Sequence, residues 1–119
     1  MWSYLAITTA SKKAKARTLQ NKLREELLKL FPELHVDDIK STPMGVQGED
    51  VQLSPAARQK LPYQFECKSM ARFVGYTIMD QAKSHGKYKP VSVIKADRKQ
   101  PLVMLQLNDF LELLEEAKK

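Results

Sequence analysis

Three charged side chains, Asp50, Glu66 and Lys68, have the types and spacing to hold a cation and act beside it. Asp50 opens the strand-like run "DVQLS", and Glu66 and Lys68 stand two residues apart in "QFECKS". Mg²⁺ prefers oxygen ligands and usually keeps several waters, so carboxylates from separate segments of the chain suit it. If the two segments are neighbouring strands, Asp50 and Glu66 can meet one cation, and the main-chain carbonyl of Cys67 can complete the protein ligands.

This set of groups fits the hydrolysis of a phosphodiester. That reaction needs a water made more acidic by a metal, a Lewis acid on the phosphoryl oxygen, and a cation that orients the nucleophile or stabilises charge. The plainer interpretation of Glu66 and Lys68 is a surface ion pair worth about 0–1 kcal/mol, which is the better explanation of an isolated E-x-K. Glu49 is likewise either an acid behind the metal ligands or an ordinary turn residue.

The elements that must position these residues can be predicted from pattern and punctuation. Apolar residues at helical spacing predict a helix from Thr18 to Phe31, which Pro32 ends. The remaining elements, in chain order, are two short strands around a turn region at Pro43 to Gly48, a serine-capped helix over 54–61, a strand over 63–69, a helix over 70–86, a hairpin over 89–107 and a last helix capped by Asn108. This order predicts a single-domain α/β fold over 1–119, with a central mixed sheet flanked by helices.

The charge of the chain favours an acidic partner. Its net charge is +6, and residues 108–119 hold four acids against two lysines, which leaves a basic body with an acidic terminal helix. Such a body favours nucleic acid over a polyanionic membrane surface, and simple solubility is the bland alternative. The first 16 residues could form a flexible basic arm. Basic residues that could contact phosphates lie in this arm, directly after it and around the hairpin turn: Lys12, Lys13, Lys15, Arg17, Lys95 and Arg98. Each could equally be solvated charge.

Cysteine and histidine usage excludes several classes of protein. The single cysteine, Cys67, rules out an intramolecular disulfide framework and predicts an intracellular protein. With no histidine evident beside it, Cys67 is better explained as a small buried apolar residue than as a nucleophile. His35 and His85 do not have zinc-site spacing. The apolar residues of the first segment precede its basic ones and form no long run, so we expect a soluble protein without a signal peptide or membrane span.

The order of these motifs resembles the PD-(D/E)XK nuclease superfamily. The shared pattern is a first helix, an acid opening a strand, E-x-K on the next strand, a helix with a glutamine and a further strand. More narrowly, "MGVQGEDVQLSPAARQKLPYQFECKS", "RTLQNKLREELLKLFPEL" and "KPVSVIKADRKQPLVML" are similar to small phage-type nucleases described as Holliday-junction-resolvase-like. The likeness runs from about Lys15 to Leu114.

The resemblance implies a restriction-endonuclease-like core and a role for each matching residue. Asp50 and Glu66 would be the acidic ligands of Mg²⁺ or Mn²⁺, Lys68 the catalytic lysine, and Gln81 a catalytic-site residue that supports the site or contacts DNA. Many relatives carry a metal-facing glutamate on the first helix, where the best-placed polar residue of this chain is Gln20. The resemblance also implies branched or junction DNA as the substrate, a role in DNA recombination, a homodimer and, for a phage protein, the cytoplasm of a bacterial host.

Two other functions stay open at this point. One is a non-catalytic nucleic-acid-binding or adaptor module that keeps the nuclease fold, which the neutral Gln20 favours. The acids at 50 and 66 argue against it, because carboxylates repel phosphate and a pure binding protein has no need of them. The other is a structural protein with no salt-dependent affinity for DNA.

Overall fold

The structure of the chain is a computed structural model that describes residues 2–43 and 48–119, with side chains from residue 11 onward. It divides into two compact units, Met1–Met70 and Ala71–Lys119. Part of the predicted turn region, residues 44–47, lies outside the described residues.

The first unit begins with one long helix, α1, over Trp2–Leu30. The helix therefore starts far before the predicted Thr18, and the segment 1–16 that could have been a flexible arm is helical from residue 2. Alanine and lysine, which recur through this segment, are strong helix formers, and this accounts for the extension. The helix ends next to the predicted position, one residue before Phe31.

A small antiparallel sheet packs against α1. Its strands are β1, Ile39–Ser41, and β2, Val51–Leu53, with Ile39 opposite Leu53 and Ser41 opposite Val51. One 3-10 turn, Val36–Asp38, precedes β1. The two strands were predicted around the 43–48 turn region, and the structure confirms them. The sheet, α1 and the following short helix share a core of buried apolar side chains: Leu23, Leu27, Phe31, Ile39, Val51, Ala57 and Leu61.

Helix α2, Pro55–Lys60, follows β2 and confirms the prediction from its cap. The Ser54 side chain accepts a hydrogen bond from the Ala57 amide at 3.1 Å, and Pro55 occupies the first turn, where its missing N–H costs nothing. This cap fixes where α2 begins, directly after the strand that follows Asp50.

The predicted strand over 63–69 is wrong. Residues 62–70 have no regular secondary structure, although side-chain burial alternates along them. Phe65 and Cys67 are half-buried and Gln64, Glu66 and Lys68 are exposed. The alternation was predicted correctly, but a strand also needs a neighbour with which to pair its backbone, and an alternating pattern does not supply one.

The second unit holds α3, Gly75–Lys83, a hairpin of β3, Val91–Ile94, with β4, Leu102–Leu105, and α4, Leu107–Ala117. The hairpin is confirmed, with Val91 opposite Leu105 and Ile94 opposite Leu102. Helix α4 starts just before the predicted Asn108 cap, with Gln106 at its N-cap.

Helix α3 is shorter at both ends than the predicted 70–86. A Cβ atom on Gly75 would overlap the Phe73 ring, so the glycine gives that ring room beside the first turn of the helix. The helix begins at Gly75, with Val74 at its N-cap, and ends at Lys83 rather than at Gly86.

The fold is thus a small α/β protein with four helices and two antiparallel two-stranded sheets among the described residues. A single domain is compatible with this content, whereas the predicted central sheet is not confirmed. The described part of the chain contains no helix of the length and apolar character needed to cross a membrane.

Candidate active site

Asp50 lies against the segment that carries Glu66. Its main-chain N–H donates to the carbonyl of Phe65 at 3.0 Å, and its carboxylate accepts a hydrogen bond from the main-chain N–H of Cys67. Both contacts join residues far apart in the chain. The structure therefore brings the acid of "GED" to the E-C-K triplet without a strand at 63–69.

Glu66 and Lys68 extend into solvent from that segment. Their side chains are 77% and 69% exposed, and the Lys68 ammonium lies 4.0 Å from a carboxylate oxygen of Glu66. An exposed pair at this distance contributes about 0–1 kcal/mol to stability, so stability alone gives little reason for it. Both charged groups remain accessible to a ligand.

Burial and two neighbouring carboxylates act on the thiol of Cys67. Burial raises the pKa of the Cys67 thiol above its ordinary value of 9.0, and the charges of Asp50 and Glu66 raise it further. A thiol with a raised pKa is a poor nucleophile near neutral pH. The expectation of a small buried apolar residue at position 67 is met in part, since Cys67 is half-buried.

Glu49, next to Asp50, has a different partner. Its carboxylate pairs with the guanidinium of Arg58 on α2, which also donates to the carbonyl of Tyr63. The pair is partly buried, with the Arg58 and Glu49 side chains 33% and 28% exposed. Sequence reasoning missed Arg58, because a pairing across nine residues leaves no signal in a single sequence beyond the charge itself.

Gln20, the predicted first-helix residue of the site, supports the acids indirectly. It is 3% exposed, and its Nε2 donates to the carbonyl of Thr42 at 2.7 Å. Thr42 in turn donates from its N–H to the Asp50 carbonyl at 2.9 Å and from its hydroxyl to the Glu49 carbonyl. Gln20 therefore holds Thr42, whose own contacts fix the main chain of both acids.

The acidic residues Glu25 and Glu26 of the first helix take no part in the contacts just described. Glu25 is exposed, and a carboxylate oxygen of Glu26 lies 3.6 Å from the Lys29 ammonium one turn along α1. The α1 side chain that contacts Thr42, and through Thr42 the main chain of Asp50, is thus the neutral Gln20 and not a glutamate.

The remaining predicted residues are exposed, some in each of the two units. Gln81 is exposed on α3 in the second unit, and Lys95 and Arg98 are exposed in the hairpin turn, where Arg98 has a positive φ of 62°. Their relation to Asp50 stays a prediction. Four predicted phosphate contacts lie in the first unit, and all four are exposed on α1: Lys12, Lys13, Lys15 and Arg17.

Carboxylate and carbonyl oxygens, the donor types of the predicted ligand set, are those that hard divalent cations prefer. Asp50 spends one carboxylate oxygen on the Cys67 amide and retains acceptor capacity on the other, and Glu66 is exposed beside the same peptide. Within the described ranges, no three or more His, Cys, Asp and Glu side chains group closely enough to hold a metal. The predicted ligand set has only two such side chains, Asp50 and Glu66, because its third ligand is the main-chain carbonyl of Cys67.

Comparison with protein-family models, with curated proteins and with solved structures finds no match for this chain.

Proposed function

We propose that the chain is a magnesium- or manganese-dependent DNA endonuclease that hydrolyses phosphodiester bonds. The observation that carries the proposal is the hydrogen bond from the Cys67 amide to the Asp50 carboxylate. It joins Asp50 to the segment whose exposed side chains include Glu66 and Lys68. A cation site needs carboxylates from separate segments that lie near one another, whereas surface charges that are merely solvated need no such contact.

Each residue of the set has a distinct task in this proposal. Asp50 and Glu66 would hold the cation, which when bound supplies a Lewis acid and an acidified water. Lys68 extends from the same side of the segment as Glu66, where its ammonium can donate to a phosphate oxygen or orient the attacking water. Asp50 is kept in place by the Cys67 amide, so its orientation does not depend on the cation.

The finer parts of the proposal rest on the resemblance to PD-(D/E)XK nucleases. They are a restriction-endonuclease-like central sheet, a contribution from Gln81, branched DNA as substrate, a homodimer and an intracellular location. The dimer follows from the substrate, since cutting two equivalent strands of a junction suits a symmetric pair of subunits. The exposed basic residues of α1 and the hairpin turn would neutralise backbone phosphates.

The second candidate function is a non-catalytic nucleic-acid-binding module. One observation favours it: the buried side chain on α1 that supports the site is the neutral Gln20, whose amide is committed to the Thr42 carbonyl. Against it, Asp50 and Glu66 would repel phosphates in a protein that only binds.

A cleavage assay separates the two functions. Labelled four-way, linear and single-stranded DNA are incubated with wild type in Mg²⁺ or EDTA, and with the variant Glu66→Gln. We expect magnesium-dependent cutting, fastest on four-way DNA, and a loss of about 100-fold or more in Glu66→Gln, since even residues behind metal ligands are worth 10–100-fold.

The matched control is Glu33→Gln. Glu33 also pairs with a lysine, Lys60, at 3.2 Å, so this variant removes a similar surface ion pair away from Asp50. We expect it to cut like wild type. The endonuclease proposal is refuted if wild type cuts no DNA in Mg²⁺, or if Glu66→Gln cuts as fast as wild type. Salt-sensitive binding without cutting would support the binding module, and no salt-dependent binding would exclude both.

A further inference from the structure

Glu49 and Asp50 are adjacent acids with different partners. The Asp50 carboxylate accepts from a main-chain amide, and the Glu49 carboxylate is paired with the Arg58 guanidinium. An amide donor carries no net charge, whereas a guanidinium places a positive charge beside the carboxylate and offsets its attraction for other cations. Of the two neighbouring acids, Glu49 is therefore the one whose carboxylate is engaged by a cationic side chain.

The geometry of Arg58 makes this pairing durable. One terminal nitrogen donates to Glu49 and the other to the Tyr63 carbonyl, so the planar group is held by two acceptors from separate segments. Arginine also stays charged at every physiological pH. With both side chains about two-thirds buried, the pair is screened less than a surface pair.

A free carboxylate at position 49 would matter to a bound cation. Mg²⁺ takes one or two protein carboxylates and demands near-ideal geometry, so a neighbouring acid on the same turn can hold it in a wrong position. We infer that Arg58 is a positioning residue that keeps Glu49 off the cation, which leaves Asp50 as the carboxylate that meets it. The inference rests on the metal site of the proposed function.

The direct test is a Mg²⁺ titration followed by NMR of the side-chain carboxyl carbons, which needs no catalysis. In wild type, we expect Mg²⁺ to shift the Asp50 resonance and leave that of Glu49 in place. In Arg58→Met, the Glu49 resonance should shift as well. Arg58→Lys keeps the positive charge but lacks the two-pronged guanidinium, and its Glu49 resonance should respond to Mg²⁺ nearly as little as in wild type.

Arg24→Met is the matched control. Its guanidinium on α1 also bridges two partners, the carbonyls of Val36 and Ile39, so the variant loses a comparable arginine at a place without Glu49. We expect the Glu49 resonance of this variant not to shift when Mg²⁺ is added. A general loosening of the fold would instead affect both arginine variants alike.

Cleavage kinetics supply the second readout. We expect Arg58→Met to lower kcat at saturating Mg²⁺ by about 10-fold without raising the Mg²⁺ concentration needed for half the maximal rate. The double variant Glu49→Gln/Arg58→Met should recover most of that loss, because the competing carboxylate is gone.

The results that count against the inference differ from those that count against the endonuclease. A Glu49 resonance that shifts in wild type, or that stays still in Arg58→Met, overturns the inference, and so does a double variant no faster than Arg58→Met. If neither Asp50 nor Glu66 responds to Mg²⁺, the metal site and the inference fall together. If they respond but wild type cuts no DNA, the endonuclease fails and the NMR result for Arg58 stands.

Discussion

Replacing Gln20 by leucine tests whether this residue anchors the turn or touches the metal. The variant keeps a side chain of similar size in a position that is 3% exposed, and it removes the 2.7 Å hydrogen bond to the Thr42 carbonyl. Thr42 is itself 6% exposed, so its carbonyl loses a partner in a place with little access to water. Leaving such a group unsatisfied costs about 1–3 kcal/mol.

Urea unfolding followed by far-UV circular dichroism measures this cost. With a slope of about 1–3 kcal/mol per molar, a loss near the middle of the range lowers the midpoint by roughly 1 M. Gln59→Leu on α2 makes the same chemical change at an exposed position, and we expect it to stay within about 0.5 kcal/mol of wild type.

The affinity for Mg²⁺, measured by calorimetry, separates the two roles of Gln20. An anchoring residue leaves the dissociation constant within about two-fold of wild type, because it contacts the turn and not the cation. The reasoning is refuted if Gln20→Leu unfolds at the wild-type midpoint. It is also refuted if the folded variant binds Mg²⁺ 10-fold or more weakly than wild type, which would make Gln20 a ligand.

Two further predictions concern titrating groups of the first unit. Cys67 should react with iodoacetamide more slowly than free cysteine at pH 7–8, because burial and then Asp50 raise its pKa; Asp50→Asn should shift its pH profile downward only in part, and a profile at the ordinary pKa of 9.0 in wild type would contradict this. Ser54→Ala should cost about 1 kcal/mol at pH 7 by removing the cap of α2. The Ser54 hydroxyl also donates to the Asp38 carboxylate, and this bond is the main cause that lowers the pKa of Asp38 below 3.8. The contribution of this second bond, unlike that of the cap, is present above pH 3.8 and is lost as the pH falls through the lowered pKa. The difference between wild type and Ser54→Ala in urea should therefore narrow at pH 3, and a constant difference would exclude the link to Asp38.

Local signals predicted the parts of the fold that are decided locally. The Ser54 cap with its proline placed α2, and the turn between two β-rich runs placed the hairpin. Both depend on contacts within a few residues. The length of α1 was underestimated because the prediction required an apolar stripe, whereas the start of the helix depends on the helix propensity of alanine and lysine.

Contacts between distant segments account for what the sequence could not supply. The alternation of half-buried Phe65 and Cys67 with exposed neighbours predicts a strand, yet the segment has no regular secondary structure. The approach of Asp50 to residues 65–67 was anticipated through a strand pairing that does not form. Arg58 and Thr42, which hold Glu49, could not be found because nothing in one sequence records their partners.

The hydrogen bond from residue 67 to Asp50 comes from the main chain, which decides how freely the site can vary in sequence. Every residue except proline offers that N–H, so serine, alanine or valine at position 67 would preserve the link between the two acids. Selection can thus act strictly on Asp50, Glu66 and Lys68 while the residue between the last two drifts. The x of E-x-K can vary because the backbone, not the side chain, makes the connection.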